Sequence, residues 1–166
     1  MPSLASARVD IAQFDLPSAL RCDLERCLAD ALFAEAETLE RLPSMGGAYA
    51  LIIHLAEQIS PDLPRLAPEP MGPGWYLYAG SAYGPGGLRA RLSRHFRTKK
   101  TAHWHVDRLT NGRCPAGALA FPDQCECDIA ARLAGSACFG FALAGFGASD
   151  CRRCTSHLLH WCGQNQ

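Results

Sequence analysis

Two strand-borne tyrosines and a helical Arg/His pair give this sequence its chemistry. Trp75-Tyr76-Leu77-Tyr78-Ala79-Gly80-Ser81 reads as a buried strand running into a glycine-rich turn. Leu88-Arg89-Ala90-Arg91-Leu92-Ser93-Arg94-His95-Phe96 then reads as a helix. Arg91 and His95 are four residues apart, so both project from one helix face. Upstream, Gly47-Ala48-Tyr49 opens another strand and brings a second tyrosine. Tyrosine hydroxyls facing an arginine and a histidine suit the handling of a phosphate group.

A second group of residues has the chemistry of a soft metal. Cys151-x-x-Cys154-x-x-His157 places two thiols and an imidazole at short loop spacings that tetrahedral zinc accepts. Cys125, Cys127 and His160 are the candidates for a fourth ligand, and reduced packing thiols are the alternative. The nine cysteines are an odd count in a chain with no N-terminal hydrophobic run resembling a signal peptide. A cytoplasmic protein with free or metal-bound thiols is expected, not a disulfide framework.

Charge points to an anionic partner. The whole chain balances sixteen basic against sixteen acidic residues, but the distribution is uneven. Residues 1–45 hold eight acids against four arginines, whereas residues 86–113 hold eight basic residues against Asp107 alone. Arg89, Arg94, Arg97, Lys99 and Lys100 make this segment a candidate nucleic-acid surface, and a solvated helix face is the plainer reading. His103-Trp104-His105 follows it, with a ring suited to base stacking or to a core position. No apolar stretch is long and clean enough to span a bilayer, so no membrane role is expected.

These residues must be positioned by a small domain. The length of 166 residues and 48% hydrophobic content fit one core. An apolar stripe at Leu20, Leu24, Cys27, Leu28, Ala31 and Leu32 predicts helix across 17–41, in one piece or two, ended by Pro43. Strands are expected at 48–55, 75–79 and 116–121, the first two antiparallel, with a proline-rich loop over 60–74. Helices are expected at 88–97, briefly at 103–110, and from Glu126 to Gly135. A further strand is expected at 139–143 and a short helix or turn at 156–161. The fold class is α/β of the α+β type. It has a short, mainly antiparallel three-stranded sheet flanked by helices, a helical extension over 1–45 and a main domain over 46–166.

The ordered set resembles the GIY-YIG nuclease superfamily. Gly47-Ala48-Tyr49 and Tyr78-Ala79-Gly80 match its two triplets, with alanine replacing each central isoleucine. Arg91 and His95 match its helical Arg and His, and His103 or His105 a further histidine. More narrowly, the chain is similar to a small related group of unassigned function, sometimes fused to an endonuclease III-type DNA glycosylase. The marks are Gly-Leu-Arg-Ala-Arg-Leu at 87–92, His-Trp-His-Val-Asp at 103–107, Cys-Glu-Cys at 125–127, and the run from Gly147 to Leu158. The proline loop makes the inter-triplet segment longer than usual, and extra residues around Gly84 to Gly87 lengthen the path to Arg91.

The resemblance implies a Mg²⁺- or Mn²⁺-dependent endonuclease acting on DNA, with a DNA-repair enzyme as partner. It implies Glu126 as the metal ligand, which suffices because Mg²⁺ keeps several waters. Arg91 would fork onto phosphate oxygens, Tyr49 would accept a proton from water, and Tyr78 and His95 would orient water or relay protons. Two other functions fit the same residues: a nucleic-acid-binding module that does not cut, and a zinc-stabilised interaction domain.

Overall fold

The structure is a computed structural model and describes residue 11 and residues 14–163. The remainder of the expected N-terminal extension lies outside the described residues. A six-stranded, fully antiparallel sheet runs through the molecule in the order β1-β4-β2-β3-β6-β5. Its strands are β1 (Leu32–Ala34), β2 (Gly47–Leu55), β3 (Gly74–Ser81), β4 (Gly117–Pro122), β5 (Phe139–Phe141) and β6 (Leu158–Trp161). The helices are α1 (Ser18–Cys27), α2 (Gly87–His95), α3 (Asp107–Thr110) and α4 (Glu126–Ala134). A 3-10 helix spans Ala36–Arg41.

Alternation along the strands builds two cores, one on each face. Tyr49, Leu51 and Ile53 of β2 join Tyr76 and Tyr78 of β3 under Leu88, Leu92, Val106 and Leu109. Ala48, Ala50 and Ile52 face the other way, with Leu77 and Ala79, onto Leu20 and Leu24 of α1 and Ile129 and Leu133 of α4. The result is three layers, helix on sheet on helix. Because both faces are covered, the central strands are apolar almost throughout.

The sheet has six strands where three were expected, and the additions lie at its edges. Residues 17–41 are not continuous helix. The helix ends at Cys27 although Leu28 and Ala31 stay on the core of Leu20 and Leu24, and Asp30 accepts bonds from Gln124 and Arg132. Leu32, Phe33 and Ala34 then pair with Ala120, Leu119 and Ala118, covering the free edge of β4. The helical spacing of Leu28 and Leu32 is overridden by this pairing. Likewise 158–161 is a strand, not a short helix. Leu158 packs on one core and Leu159 on the other, so burial on both faces erased the alternation that marks a strand. The Trp161 indole N–H donates to buried Asp23 at 2.9 Å, tying β6 to α1.

Candidate functional site

The cleft lies where β2 begins and β3 and β4 end, the end of the sheet at which α4 starts. It encloses about 870 Å³ and is lined by Tyr49, Tyr78, Arg91 and Glu126, among others. His103, Trp104 and His105 form a further part of its wall.

Strand register brings the tyrosines together. Tyr49 stands opposite Gly80 and Tyr78 opposite Leu51, so the two rings are diagonal neighbours with centroids 6.3 Å apart. A side chain at Gly80 would run into the ring and hydroxyl of Tyr49, which is why this triplet ends in glycine.

Behind Tyr49 lies a buried polar chain. The Tyr49 hydroxyl is 2.7 Å from His95 Nε2, and His95 is wholly enclosed. His95 Nδ1 has no hydrogen-bond partner among the described residues and lies 3.9 Å from Asp107 Oδ1. Burial, aided by Arg94, Lys100 and Arg91, overcomes the pull of Asp107 and brings the His95 pKa down to about 3. The ring is therefore neutral. With a carboxylate facing Nδ1, we assign the proton there, so that Nε2 accepts from the Tyr49 hydroxyl. Burial drives the pKa of both tyrosines well above the ordinary phenol value, and Arg91 opposes this at each.

Asp107 organises the surrounding wall. It accepts both Arg94 terminal nitrogens, at 3.0 and 2.9 Å, and the backbone N–H groups of His103 and Trp104, at 2.8 and 2.9 Å. Burial pushes its carboxyl up, but the Arg94 fork and these amides outweigh burial and hold it below the usual range. Nothing about an aspartate four residues beyond His103 signals this role; it becomes visible only once α2 and the following loop meet.

Several of the expected nucleic-acid contacts are committed within the protein. Arg89 donates twice to the Leu42 carbonyl, at 2.9 and 2.7 Å. Arg94 is held by Asp107 and the Thr101 carbonyl. Lys100 caps the end of α2, donating to the carbonyls of His95, Arg97 and Thr110. Arg97 and Lys99 are exposed. The Trp104 ring carries the guanidinium groups of Arg91 and Arg94, 4.3 and 4.2 Å from its centroid. Among the described residues, Arg91 makes no hydrogen bond or ion pair, so its donors are available in the cleft. Arg152 and Arg153 also line the cleft; they were not among the expected contacts, and the only signal in the sequence is a basic pair between two cysteines.

Glu126 is the first residue of α4, beside a second first-turn acid, Asp128, where the helix dipole favours negative charge. It is partly exposed, and its Oε2 lies 3.7 Å from the Cys125 thiol. Glu126 and Asp150 are the carboxylates that line the cleft, and one or two suffice for a hard divalent cation that keeps most of its waters.

Next to it, Cys127, Cys151, Cys154 and His157 bring three thiols and an imidazole together, each ligand atom within 4.8 Å of every other. This cluster could hold a metal ion such as zinc. Of the candidate fourth ligands, Cys127 joins it. Cys125 groups instead with Glu126 and Cys127, and the His160 ring packs tilted against Tyr76, with centroids 4.9 Å apart. Gly147 serves both sites. It has φ +66°, and a side chain there would strike Tyr78 and crowd His157. Its amide donates to His105 Nδ1 at 3.1 Å.

No helix among the described residues is long and apolar enough to cross a membrane. No curated protein and no solved structure matches the chain. One family model does, over residues 48–166, the span that contains both the cleft and the sulfur cluster. The chain belongs to the family described as Domain of unknown function DUF123.

Proposed function

We propose that the cleft hydrolyses phosphodiester bonds in DNA with the aid of a divalent cation, as the resemblance to GIY-YIG nucleases implies. The observation that carries this reading is that Tyr49, Tyr78, Arg91 and Glu126, from four separate elements, line one cleft. When bound at Glu126, Mg²⁺ or Mn²⁺ supplies Lewis acidity at the phosphoryl group and stabilises the departing oxygen. Arg91 forks two N–H donors onto the non-bridging oxygens, steadied by the Trp104 ring. Tyr49 takes a proton from the attacking water as its own passes to His95 Nε2 across the 2.7 Å contact. The imidazolium so formed faces the Asp107 carboxylate, which offsets its charge. Tyr78 orients the water from the adjacent strand. The same resemblance proposes a DNA-repair glycosylase as partner.

The test is a cleavage panel with Mg²⁺ and Mn²⁺ on single-stranded, duplex, branched and damaged DNA. Arg91→Ala and Glu126→Ala are expected to cut at least ~100-fold more slowly, with unchanged melting temperature. Equal activity in the variants, or no metal-dependent product on any substrate, overturns the reading. The Cys/His cluster favours a second reading, a zinc-stabilised module that binds nucleic acid or another partner without cutting. Binding that is insensitive to Mg²⁺ and yields no product would select it.

A further inference from the structure

We propose that Cys127, Cys151, Cys154 and His157 form a closed structural zinc site that clamps the loop between Gly145 and His157 onto the first turn of α4, fixing Glu126 at the cleft. The zinc site stands on its own geometry; only its effect on cutting rests on the nuclease reading.

Two of the six ligand–ligand distances match a tetrahedron, and all six lie within 4.8 Å. With Zn–S near 2.3 Å and Zn–N near 2.0–2.1 Å, its edges are about 3.8 Å between sulfurs and about 3.6 Å between sulfur and nitrogen. Cys127 Sγ lies 3.6 Å from Cys151 Sγ and 3.8 Å from His157 Nε2. The surroundings of Cys151 suit thiolate. The backbone N–H groups of Arg153 and Cys154 both point at Cys151 Sγ from 3.4 Å, as expected where sulfur is negative. Cys127 is the second residue of α4, where the helix dipole also favours an anion. Three cysteines and one histidine leave no open coordination position, which is the mark of a structural site rather than a catalytic one.

Besides the ligands, an exposed Arg153–Asp128 ion pair at 3.6 Å joins this loop to the first turn of α4. His157 is held by the sheet end, its N–H donating to the Phe146 carbonyl and its carbonyl accepting from Ala79. Cys151 and Cys154 sit in an irregular loop. Cys127 adjoins Glu126, and no side chain caps the start of α4. A metal joining these groups would hold the helix start, and with it Glu126, against the cleft wall.

Protein purified without chelators is expected to carry about one zinc per chain by mass spectrometry of metals, and Cys127→Ser and Cys154→Ser to lose it. Cys154→His, which keeps four ligands, should retain it, as should Cys22→Ser, an exposed thiol remote from the site. Cobalt-substituted wild type should show intense thiolate-to-metal absorption with tetrahedral d–d bands; this reading survives if the serine variants do not fold. Wild type without zinc and without the cobalt spectrum overturns the site. Zinc removed with a selective chelator should raise hydrogen exchange in the first turn of α4 and slow Mg²⁺-dependent cutting about tenfold. Unchanged exchange overturns the clamp. Zinc-loaded wild type that cuts nothing overturns only the nuclease reading.

Discussion

His95 and Asp107 are both fully buried, and each holds up a different part of the cleft wall. His95 backs Tyr49 and stays neutral, its pKa brought down to about 3 from an ordinary 6.5. The unfolded chain accepts a proton that the folded chain refuses, so this contribution to stability is complete above the unfolded value. It falls as pH drops from there toward the folded value. Between about pH 7 and about pH 4 the loss from this residue is on the order of 3 kcal/mol. Urea unfolding of wild type and His95→Gln across that range checks it: the variant should show the flatter acid limb, and parallel limbs would sink the idea. The same low value means that His95 does not titrate where cleavage would be assayed. With His95 neutral and Tyr49 still protonated, both members of the proposed relay keep their states from about pH 6 to about 9, so the cutting rate is expected to stay flat across that range. A limb near the ordinary histidine value that vanishes in His95→Gln would count against that.

Among the elements, the junction between α2 and the 101–107 loop depends on one carboxylate. Asp107→Ala would strip four hydrogen bonds and leave the Arg94 charge without its partner. A loss of about 3 kcal/mol is expected, with Trp104 and Arg91 displaced together. A loss below about 1 kcal/mol by denaturant titration would refute this role. The sequence disclosed elements where local pattern and tertiary need agree. Gly80 beside its tyrosine, Arg91 and His95 on one helix face, and Gly135 after α4 are of this kind. It hid β6, because Leu158 and Leu159 are buried on opposite faces, and β1, because Leu32 continues a helical spacing while serving as an edge strand. The site divides along the same line. Its tyrosines and arginine follow from short-range spacing. Cys127 could be weighed as a zinc ligand but not chosen over Cys125 or His160, since the choice depends on how α4 meets a loop some twenty-four residues later.

For the whole molecule, the basic segment divides: Arg89, Arg94 and Lys100 brace the fold, while Arg97, Lys99, Arg108 and Arg113 are exposed. Arg89, Arg94 and Lys100 are bound to carbonyls and Asp107, whereas Arg91, Arg152 and Arg153 line the cleft, Arg153 also lying 3.6 Å from the exposed Asp128 carboxylate. Arg152→Ala with Arg153→Ala is expected to weaken DNA binding roughly tenfold at low salt and lower the salt slope by about one to two. The Arg89→Ala effect should fall on stability instead. Fluorescence anisotropy over a salt series, read beside melting curves, separates the two; an Arg152/Arg153 variant with wild-type affinity would contradict the assignment. The place of β6 has a consequence for how the molecule comes into being. It lies between β3 and β5, supplies the indole bonded to Asp23, and follows directly on His157. Until residues 157–161 are in place, the sheet lacks the strand that joins β5 to β3, Asp23 has the exposed Arg26 but not the indole as partner, and the Cys/His cluster lacks its imidazole. Closure of the sheet therefore depends on a pairing between distant parts of the chain, β6 on β3, and not on a local hairpin.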